Sequence, residues 1–326
     1  MKIDYIIIAG SSGGHILPSI SLINQLAKYE KKIIFITNSV GQNYIRLIKN
    51  SNCEIKMFNK TSKLKLLLAQ FIFLSKTLII NNQIKVIGFG GFLSVLPICL
   101  SKVFNIFLKK NKTYIHEQNF IYGLANKINY LFSNFSFISF PKASLKSKEI
   151  YVGNFFKNIL HTDSETLAGK NKILLIGGSA GSVELNNQLL DYIKTIPRKE
   201  IDKFEFDIQI PSSQTLIKDQ YKKLCKNITF FDFIDDLKFY EYNLILSRCG
   251  SGSMFEILYY TDKVFFVPHL HSRDLHQKFN KMFFINKLKI KDEIPNHNNL
   301  KISSNIYFNQ LINPFSIHKI SSFISN

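Results

Sequence analysis

Cysteine is scarce and scattered in this chain. Cys53, Cys99, Cys225 and Cys249 form no Cys-x-x-Cys pair, which argues against a zinc site and against a disulfide framework. Acidic residues are also few: 23 Asp and Glu stand against 42 Lys and Arg, for a net charge of +19. Such an excess attracts anionic partners, whether nucleic acid, acidic lipid or a phosphorylated substrate. Genomic base bias, visible in the wealth of Lys, Asn, Ile and Phe, accounts for a large share of the same number. No nucleic-acid-binding module accompanies the charge, so nucleic acid is not expected as a partner. No low-complexity tract interrupts the chain. Met1-Lys2 runs straight into an apolar strand with no small-residue cleavage site. A signal peptide is therefore not expected, and a reducing, cytoplasmic setting is.

What is present is a globular composition, 46% hydrophobic over 326 residues, a length that favours two domains. Ile3 to Ala9 is a short apolar run ending in Gly10-Ser11-Ser12-Gly13-Gly14-His15, and Ile16, Ile20, Ile23 and Leu26 follow at helical spacing. Ile33 to Thr37 reads as the next strand, so the order is strand, helix, parallel strand. The glycines do not fit G-x-G-x-x-G, and the second strand ends in Thr37-Asn38-Ser39 without an acid. A dinucleotide site needs both features. Leu64 to Ile80 and Phe92 to Leu108 are strongly apolar. The first is short for a membrane span and carries Lys65 and Lys76. A core helix is the favoured reading of each, with an interfacial helix resting on anionic lipid as the alternative. Val86-Ile87-Gly88-Phe89-Gly90-Gly91-Phe92 repeats the strand-to-glycine design. Thr113 to Ile115 reads as a strand followed by His116-Glu117-Gln118-Asn119. After a polar stretch from His161 to Lys170 the pattern restarts with Lys172 to Ile176 and Gly177-Gly178-Ser179-Ala180-Gly181. Strands follow at Phe204–Ile210, Ile228–Phe231, Leu244–Leu246 and Val264–Val267, and the tail from Ile312 has the spacing of a closing helix. These are two αβ units.

The densest chemistry lies between Tyr242 and Asn280. An apolar strand stops at Ser247-Arg248-Cys249-Gly250-Ser251-Gly252-Ser253, and Met254-Phe255-Glu256-Ile257-Leu258 continues with helical character. Backbone N–H groups at a helix start have no partners, and with the positive end of the helix dipole they suit a phosphate. Glu256, about one turn in, reaches a sugar hydroxyl beside such a phosphate. An ordinary strand–turn–helix explains the same residues equally well on motif chemistry alone.

Taken in order, these segments resemble glycosyltransferase family 28, and in particular its bacterial lipid I N-acetylglucosaminyltransferases. The resemblance rests on Gly10 to His15 with Pro18, on Gly88-Phe89-Gly90-Gly91-Phe92, and on His116-Glu117-Gln118-Asn119 with Gly123, Asn126 and Lys127. It continues through Val152-Gly153-Asn154, Gly177-Gly178-Ser179 with Gly181 and Asn186, and Phe233-Ile234-Asp235-Asp236. Arg248, Gly250, Glu256, Pro268, His276-Gln277 and Asn280 complete it. It implies an α/β chain of GT-B fold, two Rossmann-like parallel-sheet domains facing a cleft. The expected division is 1–157 for the acceptor, 158–310 for the UDP-sugar, and a closing helix in 311–326 that packs back toward the first domain. The implied reaction moves N-acetylglucosamine from UDP-N-acetylglucosamine to the C4 hydroxyl of MurNAc in lipid I, with inversion and without metal or other cofactor. The alternatives are another UDP-sugar transferase of this fold and a decayed homologue that docks on membrane.

By the same resemblance Ser251, Gly252 and Ser253, with Met254 and Phe255, cradle the diphosphate, Glu256 binds ribose, and the backbone at Ile234 touches uracil. Ser179 sits near the phosphates, Gln277 and His276 hydrogen-bond the sugar, and Asn280 belongs to the same substrate site. In the first domain Ser12, Gly13 and Gly14 face the acceptor diphosphate, with Asn119 near the sugar. Arg248 and Lys157 are the cations on hand for the leaving group. His15, after a glycine loop at a helix start, is expected as the general base; the alternative is a histidine that serves the helix start. His116 and Glu117 are read as loop pins, Asp235 and Asp236 as a helix start, and Gly90 and Gly91 as a tight turn. His269, His271 and Ser272 are read as ordinary loop residues. Departures from the family pattern include Ser11 for a glycine, Lys157 for an arginine, which loses the bidentate fork, and Ala180 for a polar residue. The implied partners are UDP-N-acetylglucosamine, lipid I, the anionic cytoplasmic face of the inner membrane, where the protein would be peripheral, and other cell-wall enzymes.

Overall fold

Apolar runs buried on both faces assemble parallel sheets whose crossovers are helices, and the chain does this twice. It forms two compact units, Met1–Lys157 with Asn313–Asn326, and Asn158–Ile312. The structure, a computed structural model, describes residues 2–10, 12–59, 62–81, 83–108, 111–155, 171–178, 181–232, 237–269, 275–288 and 316–325.

The first unit runs β1 (Tyr5–Ile8), α1 (Gly13–Leu26), β2 (Ile33–Thr37), α2 (Ser39–Gln42), β3 (Cys53–Met57) and α3 (Lys63–Ile80). Then come β4 (Lys85–Gly88), α4 (Val95–Leu108), β5 (Lys112–Glu117), α5 (Leu124–Phe132), β6 (Phe135–Ile138) and β7 (Glu149–Tyr151). The sheet order is β3-β2-β1-β4-β5-β6-β7, all parallel. Alternation splits β1 between two cores: Tyr5 and Ile7 pack with Ile16, Ile20 and Ile23 of α1, and Ile6 and Ile8 with Leu74, Leu78 and Ile98 of α3 and α4. The edge strand β3 reads Cys-Glu-Ile-Lys-Met and is half-exposed; it lacks the continuous apolar run that marks the buried strands.

The second unit runs β8 (Asn171–Ile176), α6 (Val183–Lys194), α7 (Arg198–Ile201), β9 (Phe204–Gln209), α8 (Thr215–Leu224) and β10 (Ile228–Phe231). It continues with β11 (Leu244–Arg248), α9 (Ser251–Tyr260), β12 (Val264–Val267) and α10 (His276–Leu288). Its sheet order is β10-β9-β8-β11-β12, again parallel.

The last helix, α11 (Ser316–Ser325), belongs to the first unit. Ile320 and Ile324 join the core beneath α1, and Phe323 meets Tyr114, Phe135 and Phe137 edge-on. The Ile324 carbonyl, at the negative end of α11, accepts from the Tyr5 hydroxyl and the Lys85 ammonium.

The long apolar segments are not wholly core. On α3, Leu66, Leu74 and Leu78 are buried with Gln70, whereas Leu64, Leu68, Phe71, Ile72, Ile79 and Ile80 are exposed. Val103, Ile106 and Phe107 on α4 and Leu124 and Leu131 on α5 are exposed as well. The core reading of Leu64–Ile80 therefore holds for one stripe of the helix. A second apolar stripe faces outward. No helix among the described residues is long and apolar enough to cross a membrane.

Candidate functional site

In each sheet the strand order reverses beside the first strand of the unit, between β1 and β4 and between β8 and β11. At such a reversal the flanking crossovers leave on opposite faces and open a crevice at the carboxyl ends. The loops that open on the two crevices are the glycine turns singled out in the sequence.

In the first unit, β1 leads through Gly10 to Ser12, whose extended backbone starts α1 at Gly13. The Ser12 hydroxyl does not cap the helix; it lies 3.3 Å from His15 Nδ1. Nδ1 is also 3.1 Å from the Gly10 carbonyl oxygen. A carbonyl can only accept, so Nδ1 is the donor and the lone pair of the neutral ring resides on Nε2. Nε2 lies over Gly90, where an added Cβ would come within 2.9 Å of it. Gly90 and Gly91 have φ of 100° and 77°, a left-handed backbone that glycine adopts without strain. The turn after β4 thus passes under the imidazole with no side chain in the way.

The loop after β5 is held by one buried carboxylate. Glu117 Oε1 accepts from the Asn119 N–H at 2.9 Å and from Asn119 Nδ2 at 3.1 Å. Its Oε2 accepts from the Gly123 N–H at 3.1 Å and from Asn126 Nδ2 at 3.0 Å. Glu117 thereby sets where Asn119 stands. His116 is buried between the rings of Phe89 and Phe155, with Nε2 3.1 Å from the Ser139 hydroxyl. Burial pushes its pKa down to about 3, with the neighbouring His15 adding to the shift, so His116 is neutral at physiological pH. Gln118, which sequence reasoning passed over, lays its amide against the first loop; a Cβ on Gly14 would meet Nε2 at 2.8 Å. Its place between Glu117 and Asn119 was the only signal.

In the second unit α9 begins at Ser251, with Gly250 as its N-cap. Ser247 and Arg248 belong to β11 rather than to a flexible turn. A Cβ on Gly250 or Gly252 would meet nothing within 4 Å, and neither has a positive φ. Packing does not demand glycine at these two positions, and what their small size leaves is open space before the helix start. Gly252 and Glu256 are four apart and share the half-buried face of α9. Across the crevice the loop after β8 turns through Gly178 and Gly181 at φ 86° and 72° into Ser182, whose hydroxyl caps α6 by accepting from the Leu185 N–H.

Met254, Phe255, Arg248, Gln277 and Asn280 have structural contacts that the sequence did not show. The side chains of Met254 and Phe255 are buried in the core, and the Met254 N–H donates to the Gly250 carbonyl inside the helix; neither side chain faces the crevice. Arg248 is not an open cation. It is buried and donates from Nε to the Ser182 hydroxyl at 3.0 Å, from Nη2 to Glu184 at 2.7 Å and from Nη1 to the Pro268 carbonyl at 3.1 Å. It ties β11, α6 and the end of β12 together, with its charge met by Glu184. Gln277 Oε1 accepts from the His269 N–H at 2.8 Å, so its carbonyl holds the loop after β12. Asn280 is buried and donates to the Cys249 carbonyl at 3.2 Å, fixing α10 against the turn before α9. His276 opens α10. Lys157, Ser179 and Ile234 lie outside the described residues, as do Ser11, Ala180, Asp235, Asp236, His271, Ser272 and the stretch His161 to Lys170. Among the described residues no group of three His, Cys, Asp or Glu side chains is placed to hold a metal ion.

The glycosyltransferase family 28 N-terminal domain matches residues 5–137 and the family's C-terminal domain matches residues 172–294. A UDP-N-acetylglucosamine–N-acetylmuramyl-(pentapeptide) pyrophosphoryl-undecaprenol N-acetylglucosamine transferase of Wigglesworthia glossinidia brevipalpis is 32% identical over 305 residues, covering 86% of this chain and 80% of the relative. The protein of the same name from Rickettsia felis is 28% identical, covering 86% and 83%. The crystal structure of Acinetobacter baumannii MurG superposes with a TM-score of 0.72 at 19% identity over 100% of this chain and 99% of that one, a likeness of fold, two parallel-sheet α/β domains of GT-B type. With both domain matches in order and a relative at 32% identity, the chain belongs to glycosyltransferase family 28.

Proposed function

We propose that this enzyme transfers N-acetylglucosamine from UDP-N-acetylglucosamine to the C4 hydroxyl of MurNAc in lipid I, forming lipid II for peptidoglycan. The observation that carries the reading is the glycine-lined start of α9 with Glu256 one turn below Gly252. That arrangement offers a diphosphate N–H donors, a helix dipole and room, and offers the adjoining ribose a carboxylate. Ser251, Gly252 and Ser253 take the diphosphate through the backbone, and Lys157, Ser179 and the backbone of Ile234 complete the donor site. Arg248, Gln277 and Asn280 position the loops around it, and His276 serves the sugar. In the first unit Ser12, Gly13 and Gly14 meet the acceptor diphosphate and Asn119 its sugar. The acceptor oxygen forms its bond to the anomeric carbon as the bond to UDP breaks, with inversion. Its proton passes to Nε2 of His15, whose tautomer is set by the Gly10 carbonyl. Negative charge growing on the leaving diphosphate is met by the N–H groups of α9, aligned before the reaction starts.

The deciding measurement is release of UDP from UDP-N-acetylglucosamine in the presence of a soluble lipid I analogue. Turnover that requires the analogue is expected. A folded protein that binds UDP and never releases it from the donor would overturn the reading.

The acceptor's lipid places the first unit at a membrane, and we assign the outer stripe of α3 with the exposed ends of α4 and α5 as the docking face. Lys65, Lys76 and Lys127 are exposed around it, where each basic side chain adds about 1 kcal/mol on an anionic surface. Vesicles containing phosphatidylglycerol should bind the protein. Ile72→Glu should weaken that binding by roughly tenfold or more, since it removes the insertion of one large apolar side chain, ~1.5–3 kcal/mol. Activity on a water-soluble acceptor should be unchanged. Equal sedimentation of variant and parent with vesicles would move the docking face elsewhere.

A further inference from the structure

We infer that Gln209 is a positioning residue for the nucleotide, setting the distance between the loop after β8, which carries Ser179 for the phosphates, and the loop after β10, which carries Ile234 for the base. The inference rests on the donor site proposed above. Gln209 is the last residue of β9, the strand that lies between β8 and β10, and it is buried. Its side-chain amide reaches to both sides. Oε1 accepts from the Gly177 N–H at 2.9 Å, at the first residue after β8. Nε2 donates to the Asp232 carbonyl at 3.0 Å, at the first residue after β10. The Gly177 end lies two residues before Ser179, assigned to the phosphates, and the Asp232 end lies two residues before Ile234, whose backbone is assigned to the base.

The amide is held from behind. The Gln209 carbonyl accepts from Asn186 Nδ2 at 3.2 Å, and the Asn186 carbonyl accepts from the Tyr221 hydroxyl at 2.6 Å. Asn186 and Tyr221 are both buried. On the far side the Asp232 carboxylate accepts from the Ser212 hydroxyl at 2.6 Å. The turn at the Gly177 end has no slack, since a Cβ on Gly177 would fall 2.2 Å from the Ser182 nitrogen. Ser182 in turn receives Arg248 from β11. Strand pairing alone does not fix these loops, because the ladders between β8, β9 and β10 end at Leu175–Ile208 and Phe231–Gln209. Beyond that point, among the described residues, the glutamine amide joins the two turns.

A ligand that joins base and diphosphate covalently gains over its fragments only while the two subsites keep the spacing of the linker. A residue that sets that spacing is felt by the joined ligand and not by the pieces. Gln209→Met keeps the volume and removes both hydrogen bonds. The full-length protein and this variant are titrated with UDP, with uridine and with inorganic pyrophosphate. UDP should bind the variant roughly tenfold more weakly, the equivalent of one to two lost hydrogen bonds, while uridine and pyrophosphate bind as to the parent. In turnover the donor KM should rise by the same factor with kcat at saturating donor unchanged. Gln209→Glu keeps the acceptor for Gly177 and sets a carboxylate oxygen against the Asp232 carbonyl. It should lose UDP affinity in the same selective way, and it gives the reading if the methionine variant fails to fold. Equal loss for UDP and both fragments, or a lower Tm with UDP affinity unchanged, overturns the positioning role and leaves a core glutamine. A parent protein that binds no UDP at all overturns the donor-site assignment and this inference with it.

Discussion

His15→Ala should lower kcat by about 10²- to 10⁴-fold, the usual contribution of a positioned general base, and leave UDP binding unchanged. The argument lies in the ring's two nitrogens. The Gly10 carbonyl, 3.1 Å from Nδ1, fixes the proton there, so the neutral ring keeps its lone pair on Nε2. That atom lies over Gly90, in a turn whose positive φ excludes a side chain at low cost only for glycine. A histidine that served only the helix start would make the same Nδ1–H bond to the Gly10 carbonyl, so the two roles are separated by what kcat does and not by the tautomer. The measurement is steady-state turnover of a soluble lipid I analogue, paired with UDP titration. Loss of kcat together with UDP affinity would indicate a folding defect, and retained kcat would remove His15 from the chemistry. Gly90→Ala is the companion variant: its Cβ would press within 2.9 Å of Nε2, and it should lower kcat in the same direction through displacement of the ring.

Glu256→Ala should abolish the protection that UDP-N-acetylglucosamine gives against thermal unfolding. A carboxylate hydrogen-bonded to hydroxyls contributes about 1.5–3 kcal/mol per bond, so donor affinity should fall ~10- to 100-fold. At a donor concentration near the parent's Kd that removes nearly all the stabilisation, because the linkage term depends on the ratio of ligand to Kd. Glu256 is half-buried on the face of α9 that carries Gly252, so the substitution opens no core cavity, and protection is scored as the shift that the donor adds to each protein's own unliganded Tm. Equal protection of parent and variant would count against the site.

Much of this was legible in the residue order. The strands β1, β2, β8 and β11 are built on short apolar runs, and β1, β8 and β11 lead into glycine turns; such runs favour a sheet covered on both faces. The half-exposed β3 was not legible, since Glu54 and Lys56 break its apolar character. Burial was misread where one-dimensional hydropathy could not separate two stripes of one helix. In α3 the stripe bearing Leu74 and Leu78 faces the sheet, and the stripe bearing Leu68 and Ile72 faces outward. Charge was misread at Arg248. A sequence shows a cation beside a glycine turn, and only the fold shows Ser182, Glu184 and Pro268 converging on it.

The linear order of residues determined the two αβ units, the turns that end their strands, and the places of His15 at a helix start and of Glu256 one turn into α9. Those features are local: they follow from periodicity, from glycine's freedom and from groups near one another along the chain. Tertiary structure alone decided which strands are neighbours. The pairing of β1 with β4 and of β8 with β11 brings Gly90 under His15 and sets the turn after β8 beside the start of α9. It also gave Gln209, an unremarkable letter at the end of β9, two partners 32 and 23 residues away. Parallel pairing is a contact between segments far apart in the chain, selected by how the crossover helices cover both faces of the sheet, and no short stretch of residues encodes it.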